Sequence, residues 1–199
     1  MRTHTIPRKP ANLNWTQIPA VQIDHLLWSP EVDITAQAQI CYDEEALYVR
    51  LSAKEAHIRA ENTGLTDQPC EDSCLEFFFC PYPEDSRYFN IEFNPNCCLY
   101  LGMGSGGHDL VRLLPETKNL LKPVAARTED GWEIIYQVPV SFVRQFFPEF
   151  APAPGKTIRG NFYKCGDLTV QEHYLAWNNM TCETPAFHRP CDFGLLTFV

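Results

Sequence analysis

The chain has 199 residues, 45% hydrophobic and 21% charged, with a formal net charge of −9. That length can bury a sizeable core as one domain over 1–199, and the composition is ordinary for a soluble globular protein. No basic surplus exists to neutralise phosphates, so neither a nucleic acid nor an anionic membrane surface is the expected partner.

The start, "MRTHTIPRKPANLNW", lacks the apolar core of a signal peptide. No stretch approaches the 18 apolar residues of a membrane-spanning helix. Nine cysteines are an odd number and cannot all pair within one chain. Most stand in apolar contexts ("AQICY", "SCLEFFFCP", "NPNCCLYL"), where a free thiol behaves as a small hydrophobe. A reducing, cytoplasmic setting is the expectation.

Strand patterns dominate the chain. In "ITAQAQICY", Ala36, Ala38, Ile40 and Tyr42 fall on one face, and after the "DEE" turn Leu47, Val49 and Leu51 share a face in "ALYVRLS", which predicts a hairpin. The polar stretch "AKEAHIRAENTGLTDQPCED" predicts a loop over one end of a sheet. "SCLEFFFCP", "RYFNIEFNP" and "CCLYLGMG" follow as strands. A second hairpin is predicted around "EDG", with Trp132 in its core-facing strand "GWEIIYQVP". In "SFVRQFFPEF" the spacing of Phe142, Val143, Phe146 and Phe147 predicts one short helix stopped by Pro148. "TIRGNFYKCGD", "HYLAW" and "GLLTFV" supply the last strands. About ten short strands without a βαβ rhythm predict an all-β, jelly-roll-like antiparallel β-sandwich.

Several residue groups carry chemistry. Cys182, His188 and Cys191, with Cys70 and Cys74, have zinc-ligand types, but their spacings match no tight zinc knuckle, and packing is the plainer reading. Cys165 or Cys191 beside a histidine would suit a nucleophile, without a local signature. "CEDSCLEF" offers Glu71, Asp72 and Glu76. Alternation puts Asp72, Cys74, Glu76 and Phe78 on one face, so Glu76 lies among apolar neighbours and needs a partner. That partner is either an arginine such as Arg50 or Arg159, or a polyhydroxylated ligand. Trp177, followed by two asparagines, is either a core residue or a plate on which a sugar ring stacks while amides meet its hydroxyls. Trp15, Trp28 and Trp132 read as structural.

Taken in order, "W-x-x-IP", "YDEEALYV", "EDSCLEFFF", "YFNIEFN", "GWEIIYQVP", "GNFYKCGD", "AWNN" and "FHRPCDFGLLTF" make the chain similar to the family 9 carbohydrate-binding modules, from about Trp15 to Val199. The resemblance implies a β-sandwich that binds a mono- or oligosaccharide without catalysis, with calcium as a structural support in some members. It further implies stacking on Trp177, hydrogen bonding by Glu76 and Asn90, and amide contacts by Asn178. The family's other sugar-facing tryptophan falls at Cys70, so an aromatic of the 53–70 region, Tyr82, Tyr88 or Tyr163 would have to replace it, or sugar binding has been lost. Asp24, Asp33 and Asp43 are candidate calcium ligands, without a calcium-loop pattern. Related sandwiches bind haem through methionine and histidine, which leaves Met103 or Met180 with His108, His173 or His188 as an alternative. A cytoplasmic enzyme or redox protein on the same fold is the other.

Overall fold

A computed structural model describes residues 1–115 and 119–199. Its strands form two sheets. The smaller is antiparallel throughout, in the order β10 (Val124–Arg127), β11 (Gly131–Pro139), β5 (Ala46–Lys54), β4 (Thr35–Tyr42) and β2 (Ala20–Ile23). The larger runs β1 (Thr3–Ile6), β14 (Gly194–Phe198), β12 (Thr157–Gly166), β6 (Cys74–Cys80), β7 (Tyr88–Phe93), β8 (Leu99–Gly104) and β9 (Val111–Arg112). β13 (His173–Ala176) pairs with the C-terminal half of β12, and β3 (His25–Leu27) pairs with β13. β1 runs parallel to β14, an edge that alternation in the sequence did not reveal.

The inner faces meet in one apolar layer. Leu47, Val49 and Leu51 from β5 and Ile134, Tyr136 and Val138 from β11 pack toward Leu75, Phe77 and Phe79 from β6 and Phe89, Ile91 and Phe93 from β7. Both hairpins lie where the period-2 patterns put them. Gly131 is required at the second: a Cβ there would stand 1.9 Å from the Ala53 carbonyl oxygen. The helix is shorter than its pattern predicts. α1 spans Val140–Val143, a single turn that irregular bonds extend to Phe147. No helix among the described residues is long and apolar enough to cross a membrane.

Every residue of β6, "CLEFFFC", is buried, because the larger sheet is covered on both faces. Outward, Phe78 and Cys80 join Tyr88, Tyr163, Ala176, Met180 and Phe193 in a second apolar cluster, against which Trp28, Tyr174 and Phe187 pack. The segment before β14 thus folds back as a cover over the sheet. This cover shapes the site.

One end of the inter-sheet layer is polar and internally satisfied. Lys164 on β12 is fully buried; its ammonium bonds the Cys165 carbonyl at 3.0 Å and His173 Nε2 at 2.7 Å and lies 3.3 Å from Glu55 Oε1. Glu55 also accepts from Ser73 Oγ and Trp132 Nε1. Burial first, then the charge of Lys164, holds His173 neutral with a pKa lowered to about 4.

Candidate ligand-binding site

β6, β7 and β12 lie side by side in the larger sheet. Register sets Glu76 opposite Glu92 and Phe78 opposite Asn90, and on the other side Cys74 opposite Cys165. Directly opposed residues share a face, so Cys74, Glu76, Phe78, Asn90, Glu92 and Cys165 all point outward. Over this row opens a pocket of about 200 Å³. Its floor is Glu76, Phe78, Glu92 and Cys165, with Cys70 and Asp167 to one side. Its walls are Trp28 and Tyr174, and the 185–188 stretch of the covering segment.

The walls are aromatic and mutually braced. The Trp28 ring meets Tyr174 edge-on at 5.8 Å and Phe187 at 5.6 Å, Phe187 stacks on Tyr163 at 4.1 Å, and His188 stacks on Phe78 at 5.3 Å. Trp28 has a φ of 48°, in the left-handed region that bulky residues seldom enter. Such a backbone persists only where its surroundings fix it. Here the indole Nε1 donates to the Cys182 carbonyl at 2.9 Å, which ties the ring to the cover.

The floor is acidic and lacks a cation. No Lys or Arg lines the pocket. Glu76 is 2% exposed; its Oε1 accepts from the Cys165 thiol at 3.0 Å, and its Oε2 has no hydrogen-bond partner among the described residues. The arginines expected to pair with it are committed elsewhere. Arg50 binds Glu133, and Arg159 donates to the carbonyls of Pro190 and Asp85. Burial, reinforced by Glu92, pushes the Glu76 carboxyl well above the usual range. Burial, with Asp167 adding to it, raises Glu92 to about 7.

Asn90 lies on the same face beside Phe78, fully buried, and neither its Oδ1 nor its Nδ2 has a partner among the described residues. It does not line the open pocket.

Trp177 is not a wall of this pocket, which corrects the expectation of a stacking plate. Alternation along β13 turns Leu175 and Trp177 inward and Tyr174 outward. Trp177 is 3% exposed; its ring packs edge-on to Phe162 at 5.9 Å and lies so close to Gly194 that a Cβ there would stand 2.6 Å from Cζ3. Asn178 is likewise committed to structure: its Oδ1 accepts from the Arg2 amide at 2.6 Å, and its Nδ2 donates to the Asp192 carbonyl at 2.7 Å. Trp28, read from sequence as structural, is half-buried and lines the pocket, and Cys70 lines it too. Tyr82 packs on Phe147 instead, and Tyr88 and Tyr163 are buried in the outer cluster.

The other candidates separate in space. Asp24 pairs with Arg2, Asp43 accepts from the amides of Glu45 and Ala46 and pairs with Lys9, and Asp33 is exposed, so the three form no common oxygen cage. Asp72 accepts from the amides of Glu61 and Asn62, from Asn94, and from Arg59, which organises the polar 55–72 loop. Met180 sulfur is buried against Asn161 and Tyr163, and His173 is used by Lys164, so neither is open to a haem iron. Cys191 is exposed, whereas Cys182 faces the Ala186 carbonyl and His188 Nδ1 the Tyr88 hydroxyl, so this trio gathers no metal.

Sandwich and pocket together define a class, a β-sandwich module that presents an aromatic-walled, acid-floored cleft on the outer face of its larger sheet. The chain belongs to carbohydrate-binding family 9, whose family model matches residues 7–198. Among solved structures it is similar to a candidate carbohydrate-binding protein from Bacteroides uniformis, at 26% identity and a TM-score of 0.86, covering 100% of this chain and 99% of that one. It also shares the fold of a family 9 module from Caldicellulosiruptor kristjanssonii, solved with cellotriose, at 11% identity and a TM-score of 0.71, covering 99% and 93% of the two chains. The glucose complex of that family 9 module matches at the same identity and TM-score, covering 100% and 96%. No protein of curated function matches the chain.

Proposed function

We propose that the protein binds a sugar in the outer-face pocket, with Trp28 as the stacking surface and Glu76 as the central hydrogen-bonding group. The observation that carries this is the unpartnered Glu76 Oε2 at the bottom of an aromatic-walled cleft. A buried polar atom left without a partner costs about 1–3 kcal/mol, a cost that a ligand hydroxyl removes. The free Oε2 of Glu76 offers an acceptor to a sugar hydroxyl at the bottom of the cleft. The rings of Trp28, Tyr174 and Phe187 supply the apolar surface for the C–H face of a pyranose.

Size favours a single ring inside. A volume of about 200 Å³ equals the space of roughly seven waters at ~30 Å³ each. One terminal sugar residue is enclosed, and any chain attached to it runs outward. The two ligands solved in the Caldicellulosiruptor module, glucose and cellotriose, make glucose-ended glycans the first to try. The nine free cysteines support a reducing compartment for the protein.

Titrating glucose, cellobiose, xylobiose and galactose while following intrinsic tryptophan fluorescence tests the proposal. A tryptophan face stacking on a ligand buries about half of its ~150–250 Å², or about 2–3 kcal/mol. Trp28→Ala is therefore expected to weaken binding by roughly 30- to 150-fold. A response that survives intact in Trp28→Ala, or no response to any of the four sugars at tens of millimolar, overturns it.

A further inference from the structure

We infer that Cys74, Cys165 and Glu76 form a binding site for one thiophilic divalent cation, of which zinc is the type, in the floor of the pocket. Cys74 on β6 stands directly opposite Cys165 on β12, and Glu76 follows two residues along β6 on the same face. One ligand atom from each of the three lies within 4.8 Å of the others, the only such group of three His, Cys, Asp or Glu among the described residues. Tetrahedral zinc, with bonds of about 2.3 Å to sulfur and 2.0–2.2 Å to oxygen, places its ligands roughly 3.6–3.8 Å apart. Closure around an ion therefore needs shifts of about an ångström.

A second observation points to the ion independently. Glu76 Oε2 is buried and without a partner, while Oε1 of the same carboxyl already lies 3.0 Å from Cys165 Sγ. No basic side chain reaches this group. Lys164, its neighbour in sequence, faces the other side of the sheet, toward Glu55 and His173. A cation would displace the protons of the two thiols, giving a pH-dependent affinity with proton release on binding. The sulfur-rich set selects soft or borderline metals over calcium and magnesium. Glu76 and Cys165 line the pocket and Cys74 does not. The fourth coordination position therefore opens toward the cleft, the arrangement of three protein ligands and one exchangeable position.

This inference stands whether or not the pocket takes a sugar, and its test reads the metal directly. The full chain is reduced, stripped with a chelator and titrated with Co²⁺, with thiolate-to-cobalt charge-transfer absorption as the readout. One equivalent is expected to produce the band together with the visible bands of tetrahedral cobalt, and Zn²⁺ is expected to displace it. Cys74→Ser, at a position that does not itself line the pocket, and Cys165→Ser should each at least halve the charge-transfer band, since one thiolate remains, and Glu76→Gln should weaken cobalt binding at least tenfold. Absence of the band in the wild-type protein overturns the inference, as does a band unchanged in the Cys74→Ser/Cys165→Ser double variant. A Cys74–Cys165 disulfide in the isolated protein that, once reduced, takes up no cobalt also overturns it. Sugar titration of the metal-free protein is scored separately, so failure of one reading is distinguishable from failure of the other.

Discussion

Glu92 sits beside Glu76 in a floor that has carboxyls but no cation, and its protonation responds to pH in the physiological range. Burial, with Asp167 adding to it, holds its folded-state pKa at about 7, above the ordinary 4.5. The folded state therefore binds this proton more tightly than the unfolded chain. The associated stability is complete below about pH 4.5 and is lost as pH rises through about 7. Glu92→Gln removes the dependence. Urea denaturation should find the variant about 3 kcal/mol more stable than wild type at pH 8, from a shift of about 2.5 pH units at ~1.4 kcal/mol each, with the difference nearly gone at pH 4.5. His173, held near 4, has the opposite sign, losing stability as pH falls from about 6.5 toward 4, but it is common to both proteins and cancels. Equal differences at the two pH values would show that Glu92 ionises normally. Trp177→Ala belongs to the same scale. It removes a buried ring from the core and should cost about 3–5 kcal/mol in the same denaturation experiment, a value incompatible with an exposed plate.

At the level of elements, β13 and β14 decide which aromatic meets the pocket. Pairing of β13 with β12 sends Tyr174 outward and Trp177 inward, and β14 passes close enough to the Trp177 ring that only glycine fits at Gly194. Gly194→Ala would set a Cβ 2.6 Å from the ring and 2.8 Å from the Arg2 carbonyl, so it should lower the melting temperature by several degrees through overpacking. An unchanged melting temperature would mean that β14 and the N-terminal strand pack more loosely than described. The buried end of β12 gives a sharper case. Lys164→Met leaves Glu55 buried without its cation, and breaking such a pair costs about 3–5 kcal/mol. The additional change Glu55→Gln should recover part of that loss in a double-mutant cycle. No recovery would mean that Lys164 stabilises through the His173 and Cys165 bonds alone.

Over the whole molecule, what the sequence made legible follows local periodicity. Both hairpins and the inward faces of β4, β5 and β11 were readable because alternation is a property of neighbouring residues. Glu76 was readable as a carboxylate among apolar neighbours for the same reason. The pocket was not readable, because its parts meet only through pairing. Glu76 and Cys165 are 89 residues apart, and nothing in "CLEFFFC" or "NFYKCGD" says that the two strands are adjacent and in register. The place of Trp28 on the pocket wall was missed because it depends on a left-handed backbone that sequence pattern does not encode. Trp177 was misplaced by the family correspondence, although Leu175, inward by alternation, could have indicated that Trp177 shares its direction.

In the proposed complex the sugar meets Trp28 and not Trp177. The most direct test follows the four tryptophan indole N–H resonances by ¹⁵N-edited NMR during a titration with glucose or cellobiose, with Trp28 and Trp177 assigned by Phe substitution. The Trp28 resonance is expected to shift saturably while that of Trp177 stays in place. A saturable shift of Trp177 with Trp28 unmoved, or no shift of either, would rule out binding against Trp28.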